Sequence, residues 1–207
     1  MKSLDAFAAS IKVYAPGCAD PTMYFGIRQA AIEFCERTRL WRFDDEFQVS
    51  FDDAEGISAP YGAEIHEIEA VSFNGQPLDP KTTGWLDEHM RGWRTAGQVT
   101  GVPHYFTQTE PDTIRLVPFM AGTLGLHLWL KPAQDADQLP DWMVEQHRET
   151  IAHGALARIL LIPNQSFTNP EMGMVFANAF QSKLDGLSNK GFTGQQRAPV
   201  RSKATYF

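Results

Sequence analysis

Cysteine is scarce in this chain: Cys18 and Cys35 are the only two in 207 residues. Two thiols make neither a disulfide framework nor a zinc knuckle, and each reads as a small buried hydrophobe. Long apolar runs are missing too. No stretch of about 18 apolar residues occurs, so no membrane span is expected. The opening MKSLDAFAASIKVYAPGC has no continuous apolar core, being broken at Asp5, and no signal peptide is expected. The linear signatures of catalysis are also lacking. There is no G-x-S-x-G, no G-x-G-x-x-G and no P-loop, and Gly97 and Gly101, flanking QVT, read as a loop. Internal repeats and low-complexity tracts are absent. Acids vanish from Asn189 onward.

What is present is ordinary for a globular protein: 43% hydrophobic and 21% charged residues, enough for one domain or two small joined ones. The charge is unevenly placed. Lys190, Arg197, Arg201 and Lys203 give the tail +4, and taking these off a total of −7 leaves −11 on the remainder. Such a body is a poor duplex-DNA binder, because phosphate binding needs clustered cations that release counterions. The six histidines do not assemble a metal site. His147 and His153 lie six residues apart on one helix, roughly 120° around its axis, and His66 and Glu69 fall at odd spacing on a strand. His153 reads as a hydrogen-bonded bundle histidine. Asp44-Asp45 and Asp52-Asp53 read as a solvated acidic rim. Nothing combines a nucleophile, a base and an orienting group, so neither catalysis nor a metal or other cofactor is expected.

The dominant stretch is Leu139 to Pro163, LPDWMVEQHRETIAHGALARILLIP. It predicts one helix, N-capped by Asp141 and ended by Ile162 before Pro163. About 22 residues at ~1.5 Å each give a rod of roughly 33 Å. Glu145 to Thr150 is polar nearly all round and is expected in water or a polar interface, whereas Ile151 to Ile162 is apolar almost all round and needs neighbours on several sides. Gly154, Ala155 and Ala157 would let those neighbours approach. Residues 3 to 13 predict a short amphipathic helix through Leu4, Phe7, Ala8 and Ile11. Asp20-Pro21 opens another, running to about Leu40, with Met23, Ile27, Ala30 and Phe34 as its stripe and Glu33–Arg37 as an i, i+4 pair.

The period then switches to two. Phe43, Phe47, Val49 and Phe51 predict a strand, 52 to 62 a loop, and Ile65 to Phe73 a second strand ending in the hairpin signal Asn74-Gly75. Thr83 to Arg94 reads as a short helix or structured loop anchored by Trp85 and Trp93. Pro103 to Gln108 and Thr113 to Val117 are strands across a Glu110-Pro111-Asp112 turn. Leu124, Leu126, Leu128 and Leu130 form one face of a further strand. The region 43 to 132 is therefore expected to be antiparallel. Asn169-Pro170 repeats the cap signal for a last helix, 170 to 185, buried through Phe176, Ala179, Phe180 and Leu184. From Gly186 onward there is no period.

The fold class is thus α+β. A helical bundle from 1–42 and 139–186 encloses an inserted antiparallel β-domain, 43–138, and is followed by a flexible basic arm, 187–207.

Several runs resemble the head-to-tail adaptor (connector) proteins of tailed bacteriophages: GIRQAAIEFCERTRLWR (Gly26 to Arg42), the long-helix stretch, and NQSFTNPEMGMVFANAFQSKL after it. GVPHYFTQTEPDTIRLVPFM and an LKP strand end continue the likeness, which spans about 20 to 185. Tail tubular protein A of short-tailed phages belongs to the same broad class. The resemblance implies a structural virion protein without catalytic residues, a homo-oligomeric ring, dodecameric in the virion, beneath the portal protein. Such a ring extends the DNA channel and offers an attachment surface to a downstream tail or nozzle protein. DNA passes without specific binding and no membrane is involved; the protein resides at the head–tail junction, and in the host cytoplasm during assembly. In such adaptors a C-terminal segment reaches the portal. In position this corresponds to the arm with Phe192, Arg197, Arg201, Lys203, Tyr206 and Phe207. Glu145, His147, Arg148 and Glu149 are the candidate subunit-interface residues. The alternatives are another virion ring, such as a tail-completion protein, and a small enzyme whose site is no linear motif.

Overall fold

The computed structural model describes residues 1–95 and 99–193, with 189–193 described by backbone alone. In chain order the elements are β1 (Lys2–Ser3), a 3-10 turn at Leu4–Phe7, α1 (Ala8–Lys12), α2 (Asp20–Thr38), β2 (Arg42–Val49), a 3-10 turn at Phe51–Asp53, β3 (Ile57–Ser58) and β4 (Ala63–Phe73). There follow β5 (Gln76–Pro77), β6 (Asp79–Pro80), α3 (Thr83–His89), β7 (Tyr105–Thr107), β8 (Thr113–Val117), β9 (Gly122–Pro132), β10 (Gln138–Leu139), α4 (Asp141–Ile159) and α5 (Pro170–Thr193). The fold is α+β. It divides into a helical unit, Met1–Leu40 with Pro132–Phe207, and a β-unit, Trp41–Lys131.

In the helical unit, α4 packs against α1, α2 and α5. Its apolar half is buried through Ile151, Ala152, Ala155, Leu156 and Ile159, as an all-round apolar helix requires, but Leu161, expected in the same half, lies past the helix end and is 52% exposed. Small residues set the spacing. A Cβ added to Gly154 would lie 2.8 Å from Phe180 Cζ and 2.9 Å from Ala30 Cβ, so α2 comes close to α4 through Ala30 and α5 reaches the same spot with the Phe180 ring. The stripe on α2 is buried through Met23, Ile27, Ala30, Phe34 and Thr38, and that on α5 through Phe176, Phe180 and Leu184.

Several boundaries differ from the sequence reading. Asp20 lies inside α2, whose N-cap is Ala19, and its carboxylate pairs with Lys12 Nζ at 2.8 Å. Asp141 likewise lies inside α4, where Pro140 is the N-cap, and meets the Met1 amine at 2.9 Å. Both acids found a cation nearby, and an ion pair leaves the carboxylate less free to cap amides. Only Asn169 caps as expected, its Oδ1 accepting from Met172 N at 3.1 Å. The α4 helix is not one straight rod. His147, at φ −127° and ψ 15°, breaks the helical geometry, and the helix stops at Ile159. The α5 helix does not end at 185 but continues through Gly186 to Thr193, so Phe192 belongs to it. The predicted 3–13 helix is instead a 3-10 turn, capped by Ser3, followed by α1, while Ser3 also pairs with Gln138.

The β-unit has two four-stranded sheets, ordered β2-β9-β4-β5 and β3-β8-β7-β6. Both feed one core, to which β9 contributes Leu124, Leu126, Leu128 and Leu130. Register explains the alternation: Arg42 faces Trp129, Asp44 faces His127 and Glu46 faces Gly125, placing polar residues on the other face. Asn74 and Gly75 have φ of 48° and 76°, both positive as a type I′ turn demands. Three details depart from expectation. The unit is not wholly antiparallel, since β6 pairs with β7 in parallel. The loop 52–62 contains β3. Phe51 leaves the strand for a 3-10 turn and is 63% exposed.

Candidate assembly surfaces

The polar half of α4 is where the sequence placed a subunit interface. Glu145, Arg148 and Glu149 are exposed there. With Val144, His153 and Lys183 they line one shallow depression. Glu145 also accepts from Lys2 Nζ at 2.6 Å. The fourth candidate behaves differently. The His147 ring is half-buried, 4.9 Å from Phe34 and 5.8 Å from Trp142. The same break that bends α4 turns this ring toward the bundle's aromatics, so His147 shapes the helix more than it presents a surface. The His153 ring is half-buried at the edge of that depression, 5.1 Å from Phe176, so a ring contact rather than a hydrogen bond places it. Of the arm residues, Arg197, Arg201, Lys203, Tyr206 and Phe207 lie outside the described residues.

Sequence spacing missed how the helices are tied. Glu33 accepts from Arg158 Nη2 and, at 2.7 Å, from Gln181 Nε2, while Arg158 Nη1 donates to the Gly154 carbonyl at 2.8 Å. Arg37 reaches Asp185 at 2.7 Å. The expected Glu33–Arg37 spacing was a true signal of a charged stripe, but both side chains serve other helices. Beside this network the Cys35 thiol is pushed well above its ordinary value by burial. A thiol held neutral in this way is a packing residue, not a nucleophile.

In the β-unit the charged clusters are equally self-contained. Asp44 accepts from His127 Nδ1 at 2.7 Å and pairs with Arg42 at 3.0 Å; Arg42 also reaches Glu69 at 3.0 Å and lies 5.3 Å from the Trp129 ring centre. Burial works against the Asp44 charge, but the His127 and Arg42 bonds outweigh it and hold the carboxyl below its usual range. Asp87 grips Arg94 through 2.8 and 2.6 Å bonds and takes Trp93 Nε1 at 2.9 Å. Those two partners, Arg94 foremost, lower its pKa. Arg115 stacks on the same indole and donates to the Trp93 and Arg94 carbonyls at 3.2 and 2.9 Å. Desolvation lowers its pKa. Asp44 is thus no free rim acid, and each cluster closes a loop or ties strands. Among the described residues no three His, Cys, Asp or Glu side chains converge as metal ligands would.

Charge divides sharply between the units. Residues 41–131 hold fourteen acids and six bases, or −8, while the rest holds eleven acids and twelve bases, or +1. The acidity noted in the sequence therefore belongs mainly to the β-unit.

No curated protein matches the sequence. A family model does match, that of the SU10 adaptor protein, over residues 19–203. That span takes in α2, the whole β-unit, α4 and α5, and the chain accordingly belongs to the SU10 adaptor protein family.

Proposed function

We propose that copies of this protein assemble side by side into a dodecameric ring below the portal, extending the DNA channel and presenting an attachment surface to a downstream tail protein. As a member of the SU10 adaptor family the chain is a structural, non-enzymatic virion protein of the phage head–tail junction, associated with portal and tail proteins. Ring formation is the finer step, and the exposed half of α4 carries it. A buried apolar half-helix continues into a surface where Glu145 and Glu149 stand beside Arg148 and Lys183. Mixed charges on a rigid helix set register between neighbouring copies better than they add affinity. The segment carrying Phe192, Arg197, Arg201, Lys203, Tyr206 and Phe207 is the portal-docking element of this reading. Kinship with tail tubular protein A enters it only as shared architecture. The β-unit, at −8, repels phosphate and suits a conduit wall that DNA passes without adhering.

Light scattering after size-exclusion, with and without portal, tests the reading. The protein with portal is expected at the mass of a closed ring on the portal, and Arg148→Glu with Lys183→Glu is expected to leave it unassembled. Equal assembly by that variant would move the subunit interface away from α4.

A further inference from the structure

Among the described residues ten large apolar side chains are exposed, and six of them gather at one end of the helical unit. Contacts between the helices define that end. Tyr14, just past α1, lies 4.9 Å ring to ring from Phe176 of α5. A Cβ on Gly26 of α2 would stand 3.1 Å from Ile159 of α4, and one on Gly173 of α5 would stand 3.4 Å from Leu161, just past α4. Val13, Tyr14, Phe25, Leu161, Met174 and Val175 therefore cluster where α1 and α4 end and α2 and α5 begin, each 48–73% exposed. Single exposed apolar groups are ordinary, but a cluster of this kind marks a contact surface.

The six do not form one patch. Helix geometry turns Met174 and Val175 about 100° apart on α5. Val175 shares its face with Lys183, two i, i+4 steps along, and Lys183 and His153 line the α4 depression. Phe176 meets both the His153 ring, at 5.1 Å, and the Tyr14 ring, so Val13, Tyr14 and Val175 extend that depression. Met174 instead shares its face with Gln181, whose amide donates to Glu33 of α2, and Phe25 stands two i, i+4 steps before Glu33. Phe25, Leu161 and Met174 thus lie on the other side of α5, beside the Glu33–Arg158–Gln181 network.

Two different apolar patches on one molecule are what a heterologous contact requires. An isologous pair uses one patch twice, whereas a closed ring of identical copies sets one surface against a different one. We propose that Val13, Tyr14 and Val175 of one copy pack against Phe25, Leu161 and Met174 of the next copy in the ring. The proposal rests on reading the protein as a ring with α4 at its subunit interface, and it adds the apolar centre that the charges of α4 lack. Burial of these side chains supplies affinity, while Glu145, Arg148 and Glu149 set register.

The test uses the full chain without portal, as two single variants, Val175→Cys and Phe25→Cys. Both positions are exposed, and the native Cys18 and Cys35 are buried. One variant carries a tag that separates it by size, and the mixture is treated with a short bismaleimide. The mixed pair is expected to exceed both like pairs several-fold, beyond the ratio that random encounter gives. Adding Met174→Glu to the Phe25→Cys protein is expected to cut the mixed pair several-fold, because the carboxylate would be buried without a partner. Pairs in the random ratio, an excess of like pairs, or a mixed pair indifferent to Met174→Glu each overturns the proposal. The ring is scored separately by mass on the portal: ring mass without the mixed pair sinks the apolar contact alone, and the mixed pair without ring mass sinks the ring reading alone.

Discussion

The two units solve the burial problem by opposite means. In the helical unit, small residues bring backbones together at Gly154 and Ala30, and polar links such as Glu33–Arg158 and Arg37–Asp185 run between helices. Opposite charges pair locally there; the unit's +1 includes the +4 of the stretch from Asn189, so its remainder stands at −3. In the β-unit, alternation sends every second side chain to solvent, and the outward positions on β2 and β4 are largely acids. Few cations stand among them, and Arg42, Lys131 and Arg94 are each held by a carboxylate. The difference lies in where charge is neutralised: the helices pair opposite charges with one another, whereas the sheets of the β-unit keep a net negative charge.

Substitutions can break or sharpen this comparison. The largest effect is expected from Leu128→Ala, which empties a fully packed site in the β-unit core. A cost of about 2–5 kcal/mol is expected. It should appear as lost amide protection in β9 and its neighbours ahead of any loss of helical ellipticity. Simultaneous loss of both signals would show the units to be energetically one. Next is Gly154→Leu, which drives a side chain into Phe180 and Ala30 at the three-helix contact. Overpacking there should cost about 1–3 kcal/mol, with the helical signal melting earlier. An unchanged melting temperature would refute the close contact.

The smallest effect concerns acid. The folded pKa of Asp87 lies below 3.8, so its contribution is complete above that value and fades as pH falls through the lowered folded value. A step in Trp93 fluorescence is therefore expected below pH 3.8, and Asp87→Asn should remove it. If the step survives in the variant, Asp87 is not the clamp on that indole.

Much of this architecture was legible because it depends on periods. The Leu124–Leu130 alternation, the all-round apolar half of α4, the Asn74-Gly75 turn and the Asn169 cap all follow from local geometry that neighbouring residues impose on one another. The exposure of the candidate interface residues was legible in part. Glu145, Arg148 and Glu149 are exposed as read, because a polar half-turn has nothing to bury, whereas His147 sits against Phe34 and Trp142, which no spacing announces. Caps at Asp20 and Asp141 were misread for a related reason: Lys12 and the Met1 amine come from elsewhere, and only the folded chain brings them within 3 Å. The parallel pairing of β6 with β7 was likewise invisible, since strand order depends on long-range pairing. Sequence alone determined which faces are apolar, because burial follows side-chain chemistry. Only the tertiary structure decided which charges meet and which strands pair, because those outcomes depend on distances between residues far apart in the chain.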